Sequence, residues 1–140
     1  MTERRPPFAV LGIDHVVFRV ADMARAIGFY RDVLGLVEER RLDELGLVQL
    51  RAGRTLIDLV DVAGTIGRAG GPPPRAEGHN VDHVALRIEP FEPAAIAAHL
   101  AAHGVTGGEV VTRYGAEGEG PSLYITDADG NTLELKGPRG

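Results

Sequence analysis

Two histidines stand at the same place in two copies of one short pattern. Ile13-Asp14-His15-Val16-Val17-Phe18-Arg19-Val20 recurs 68 residues later as Val81-Asp82-His83-Val84-Ala85-Leu86-Arg87-Ile88. Four of the eight positions are identical, and the others exchange one apolar residue for another. Two acids are matched in the same way. Leu56-Ile57-Asp58-Leu59 and Thr132-Leu133-Glu134-Leu135 each hold a carboxylate between apolar neighbours. A charge inside an apolar strand is costly unless it is paired or bound to a metal. A lone histidine there would be a satisfied core residue, and a lone acid a salt-bridge partner. Duplicated together, neutral imidazoles and carboxylates form a donor set for a divalent first-row metal such as Zn, Ni, Co, Fe or Mn.

Positioning such groups requires strands, and the chain supplies them in a repeated order. Residues two apart on a strand share a face, so His15, Val17 and Arg19 look one way, as do His83, Ala85 and Arg87. After the first copy, Asp22 suits an N-cap and Gly35 a helix end. Between them Met23, Ala26, Ile27, Tyr30 and Leu34 form one helical stripe. Strands are expected at Leu36–Leu42, Leu47–Arg51 and Thr55–Asp61. After the second copy, Glu92-Pro93 opens a helix that Gly104 closes. Strands then follow at Glu109–Arg113, Ser122–Thr126 and Thr132–Lys136, the last two joined by the turn Asp127-Ala128-Asp129-Gly130-Asn131. The order is βαβββ twice, an α+β class in which each first and fourth strand delivers one histidine and one acid. Module one spans about 10–61 and module two about 81–137 of a single 1–140 domain. Residues 62–80, with Pro72-Pro73-Pro74, read as a linker too poor in apolar residues to pack as an element.

Composition narrows the classes. At 140 residues with 44% hydrophobic and 25% charged content, the chain suits one globular domain. Its 19 glycines and 9 prolines imply many turns. The absence of cysteine excludes disulfides, thiolate metal sites and a cysteine nucleophile. A net charge of −5 argues against a nucleic-acid or anionic-membrane surface. No apolar run reads as a signal peptide or a membrane span, so a cytoplasmic location is expected.

The paired Asp-His strands, Gly28-Phe29-Tyr30-Arg31-Asp32-Val33-Leu34-Gly35 and Asp127-Ala128-Asp129-Gly130-Asn131-Thr132-Leu133-Glu134-Leu135 together resemble the vicinal oxygen chelate superfamily, over about Ile13 to Lys136. That superfamily includes glyoxalase I, extradiol dioxygenases, fosfomycin-resistance enzymes and bleomycin-resistance proteins. The resemblance implies two βαβββ modules curled into a cup, with His15, Asp58, His83 and Glu134 holding one divalent metal (Ni, Zn, Co, Mn or Fe) per site. It also implies a homodimer in which each site is shared between subunits. A glyoxalase I-like activity would make Glu134 both ligand and proton shuttle, acting on a thiol adduct of a 2-oxoaldehyde, with glutathione or another thiol as co-substrate. Glyoxalase I-like sequences carry Glu or Gln where this chain has the shorter Asp58. Without Asp58, the two histidines and Glu134 would resemble the triad of dioxygenases and of epoxide-opening fosfomycin-resistance enzymes. A bleomycin-type drug-binding protein without catalysis is the reading outside enzymes.

His15-Val16-Val17-Phe18-Arg19-Val20-Ala21-Asp22 also resembles the glyoxalase I pattern in which the arginine holds a substrate carboxylate. This would make Arg19 substrate-binding; the alternative is an acid partner at the sheet edge, since Arg87 repeats it. Arg113 and Tyr114 border the Gly-rich stretch 115–120, which reads as a pocket-side loop contacting substrate or as a plain long hairpin. His99 and His103 share a helix face but lack the glutamate a zinc protease needs, and their place in the last turns suits the helix dipole. His79 reads as a solvated loop residue, and Glu38-Glu39-Arg40-Arg41 as an exposed piece of strand.

Overall fold

A computed structural model describes residues 9, 11–74 and 77–140. The first module runs β1 (His15–Val20), α1 (Met23–Asp32), β2 (Val37–Leu42), β3 (Leu47–Ala52) and β4 (Thr55–Asp61). The second runs β5 (Val84–Arg87), α2 (Pro93–Ala102), β6 (Val111–Gly115), β7 (Gly118–Thr126) and β8 (Thr132–Lys136). Each module makes its own four-stranded sheet, in the orders β1-β4-β3-β2 and β5-β8-β7-β6. The first strand lies parallel to the fourth in both, and the remaining pairings are antiparallel. The α+β class and the duplicated module are therefore as the sequence implies.

One core joins the modules. Phe18 and Val20 of β1, Ile57 and Leu59 of β4, and Ile27 and Tyr30 of α1 pack with Leu100 of α2, Leu123 and Ile125 of β7, and Leu133 and Leu135 of β8. Burying each such side chain contributes about 1.5–3 kcal/mol. Alternation along the strands then turns the intervening residues, including both acids, to the opposite face of each sheet. Asp22 caps α1 by accepting the Arg25 amide hydrogen at 3.0 Å. Gly35, at φ 72°, reverses the chain after it. Pro93 opens α2 as expected, although Glu92 makes no side-chain cap.

Three expectations need revision. Ser122–Thr126 is the end of a longer strand: the glycine-rich stretch continues the ladder, with Arg113 opposite Gly120 and Gly115 opposite Gly118. The hairpin reading is thus the one observed, closed by Ala116-Glu117. The second copy of the histidine strand is short, and His83 lies just before β5. The connection after β4 packs through its backbone, although its side chains are too polar to join a core. A 3₁₀ turn at Gly67–Gly70 buries Gly67, where a Cβ would fall 1.9 Å from the Asp61 carbonyl oxygen.

Candidate metal centre

Strand registers make the two halves equivalent residue by residue. Asp58 stands beside Val17 on β1 and Gln49 on β3. Glu134 stands beside Ala85 on β5 and Tyr124 on β7. Since Val17 and Ala85 match in the sequence repeat, the two acids occupy one structural position. In the second half, His83 Nε2 lies 3.3 Å from Glu134 Oε1. Ser122 donates to the other oxygen, Oε2, at 2.8 Å. In the first half, Gln49 donates to Asp58 Oδ2 at 3.1 Å, while Asp58 Oδ1 is buried without a hydrogen-bond partner. An unpaired buried carboxylate oxygen is expensive. It suits a site meant for a cation.

Each histidine is oriented by the aspartate before it. Asp14 accepts from His15 Nδ1 at 2.8 Å, and Asp82 from His83 Nδ1 at 2.7 Å. An anchored Nδ1–H leaves Nε2 with its lone pair free, the usual arrangement behind a ligating imidazole. The hydrogen bond to Asp14, followed by the charge of Asp58, raises the His15 pKa above 6.5. The donor chemistry fits a divalent cation. The two pairs remain apart, however: among the described residues no three His, Asp or Glu groups converge to hold a metal.

The expected substrate contacts are distributed differently. Arg19 is roofed by the connection after β4. Its guanidinium donates to the carbonyls of Gly67 at 3.2 and 2.9 Å, Gly71 at 2.5 Å and Pro72 at 3.1 Å. Neither a free arginine nor an acid-paired one is seen there, because the backbone of the connection satisfies the charge. Arg87 does take acids, Glu117 at 2.6 Å and Glu89 at 2.8 Å. Arg113 lies over the Tyr124 ring, 4.7 Å from its centroid, and His83 meets the same ring edge-on at 5.4 Å. Tyr114 follows Arg113 on the strand, so the two side chains leave opposite faces. Tyr114 is 81% exposed at the hairpin rim.

His99 donates to the Val33 carbonyl at 2.7 Å and His103 to the His99 carbonyl at 3.0 Å, so both satisfy helix ends. His79 is exposed, as is nearly all of β2. Gln49, Ser122, Tyr124 and Lys136 share the candidate ligand face, although their residue types alone do not mark them. The signal available was alternation: Ser122, Tyr124 and Lys136 follow the period of Glu134. Asp127 also does more than turn the chain. Its carboxylate accepts from Tyr30 Oη at 2.6 Å, from the Asn131 side chain at 2.8 Å, and from the amides of Asp129 and Asn131.

Two βαβββ sheets with a histidine on or just before the first strand and an acid on the fourth define the vicinal oxygen chelate class. The chain belongs to the Glyoxalase/Bleomycin resistance protein/Dioxygenase superfamily, whose family model matches residues 12–135. That superfamily contains many enzymes, and its members typically use a divalent metal. Among similar solved structures, a virulence protein from Salmonella typhimurium is 25% identical with a TM-score of 0.77, over 94% of this chain and 100% of that one. A lactoylglutathione lyase from Agrobacterium tumefaciens is 25% identical with a TM-score of 0.65, over 95% and 96% of the two chains. The fosfomycin resistance protein FosX from Mesorhizobium loti, 18% identical with a TM-score of 0.66 over 94% and 95%, shares the fold. No helix among the described residues is long and apolar enough to cross a membrane.

Proposed function

We propose that this protein is a metal-dependent lyase of the glyoxalase I type, isomerising a thiol adduct of a 2-oxoaldehyde or a closely related vicinal-oxygen substrate in the cytoplasm. The observation that carries the reading is the pairing of His83 with Glu134 at the position that His15 and Asp58 hold in the other module. The likeness to a lactoylglutathione lyase supports the choice of reaction. His15 and Asp58 of one subunit and His83 and Glu134 of a second would hold one divalent ion. That ion, when bound, supplies Lewis-acid polarisation of two neighbouring substrate oxygens. Glu134 moves the proton between adjacent carbons: Ser122 fixes Oε2, which leaves Oε1 as the mobile base. Asp14 and Asp82 hold the imidazoles in register. Burial of both acids keeps water from competing for their oxygens.

The test measures metal content and methylglyoxal–glutathione turnover on one preparation, stripped and reloaded separately with Ni, Co, Zn, Mn and Fe. Turnover that needs metal and falls about 10²–10⁴-fold in Glu134→Gln is the expected result. Stoichiometric metal without turnover would keep the centre and reject this substrate. No metal under any loading would reject the enzyme reading in favour of a binding protein.

A further inference from the structure

Lys136 is the only lysine among fifteen basic residues, and it is buried, 7% exposed. It sits two residues beyond Glu134 on the same face of β8. Among the described residues no carboxylate comes within salt-bridge distance of it. Its Nζ has only the carbonyls of Gly118 at 3.3 Å and Gly137 at 3.5 Å, both long for an ammonium. Its neighbour Arg87 is already engaged by Glu117 and Glu89. Glu134 is held by Ser122 and faces His83. A cleft of about 260 Å³ opens on this group, lined by His83, Ala85, Arg87, Tyr114, Glu134 and Lys136 among others.

The glycine-rich hairpin is shaped around this side chain. A Cβ on Gly115 would come 3.2 Å from Lys136 Cε, and one on Gly120 would come 2.9 Å from its Nζ. The other module shows the contrast. Val60 stands opposite Arg19 as Lys136 stands opposite Arg87, so Val60 is the equivalent residue. There the position is apolar, and the connection after β4 roofs the neighbouring arginine. The repeat thus places a lysine without a carboxylate partner beside an open cleft where the first module has Val60.

From this asymmetry we propose that Lys136 is a substrate-positioning residue that holds an oxyanion, a carboxylate or phosphoryl group, in the cleft beside His83 and Glu134. The inference deepens the proposed function and rests on its second-module pair. At ~3.3 Å per residue, the lysine lies about 7 Å along the strand from Glu134. Within the proposed function this points to the related vicinal-oxygen substrate rather than the glutathione adduct: a small molecule whose anionic group is a few bonds from the oxygens that react.

Because the chain has one lysine, protein labelled with ¹³C-lysine shows a single Lys136 Cε resonance. We would add inorganic phosphate, and separately acetate, to the full-length protein at fixed pH and ionic strength, with and without Zn. A saturable shift of that resonance is expected, larger with phosphate for a phosphoryl substrate and with acetate for a carboxylate one. Lys136→Met, which has no lysine resonance and is therefore followed by calorimetric titration alongside the wild type, should weaken binding of the better probe at least about tenfold, and Lys136→Arg should restore part of it. No saturable shift with either anion, loaded or not, overturns the proposal, as does unchanged anion binding in Lys136→Met. A saturable shift in a protein that takes up none of Ni, Co, Zn, Mn and Fe would overturn the metal reading and leave the anion site standing.

Discussion

At the residue scale, the distinctive feature is that each candidate ligand has a neighbour assigned to it. His15 and His83 are tethered by Asp14 and Asp82, Glu134 by Ser122, and Asp58 by Gln49. These are the supports that set tautomer and direction around metal ligands. Asp14 is also the largest cause of the raised His15 pKa. The protonated ring is thus favoured by folding, so its contribution to stability is full below pH 6.5 and is lost as pH rises through the folded value. Asp14→Asn should lower the His15 pKa, read from the ring resonances in an NMR pH series. An unchanged value would mean that Asp58 sets the charge state.

At the scale of elements, the β7–β8 hairpin docks on α1 through one carboxylate. Burial first, and then the charge of Asp127, push the Tyr30 phenol far above its ordinary pKa, so it stays a donor at every working pH. Tyr30→Phe removes a buried hydrogen bond to a charged group and should cost about 1.5–3 kcal/mol in urea unfolding. The connection after β4 is a second docked element. Asn80 bonds the Arg19 amide and carbonyl at the edge of β1 and reaches Asn131 at 2.9 Å. Gly67→Ala would drive a methyl into the Asp61 carbonyl. About 1–3 kcal/mol of destabilisation is expected. Faster proteolysis between residues 62 and 80 would confirm that the roof over Arg19 had lifted.

For the whole molecule, the question is whether the two histidine–acid halves join in one centre. Within a chain the shared core lies between the modules, and each ligand pair points away from it. β1 and β5, which carry or adjoin the histidines, are both sheet edges. Val17, on the His15 face, is left exposed. A second copy supplying the missing half, as in the proposed function, would account for all three, and closed twofold pairing would give two such centres. Mixing a His15→Ala/Asp58→Ala chain with a His83→Ala/Glu134→Gln chain tests it directly. Random re-pairing should restore about one quarter of the wild-type metal sites, because each mixed dimer regains one intact centre. No recovery after subunit exchange would mean that both halves must come from the same chain.

The duplication, the strand faces and the matched stations of Asp58 and Glu134 were written in the sequence, because they depend on a period of two and on a repeat. Alternation within about six residues is a local property, and backbone pleat enforces it. The fate of Arg19 was not local. Its partners are carbonyls about fifty residues away, and main-chain oxygens leave no mark in side-chain composition. The same holds for the glycines of the β6–β7 hairpin, which read as a flexible loop or a plain hairpin until Lys136 is seen filling the space they leave. Residue types and strand order thus declared a face of histidines and carboxylates. Which cations stay free to meet a substrate was decided by tertiary packing, since only packing determines which charges are already satisfied.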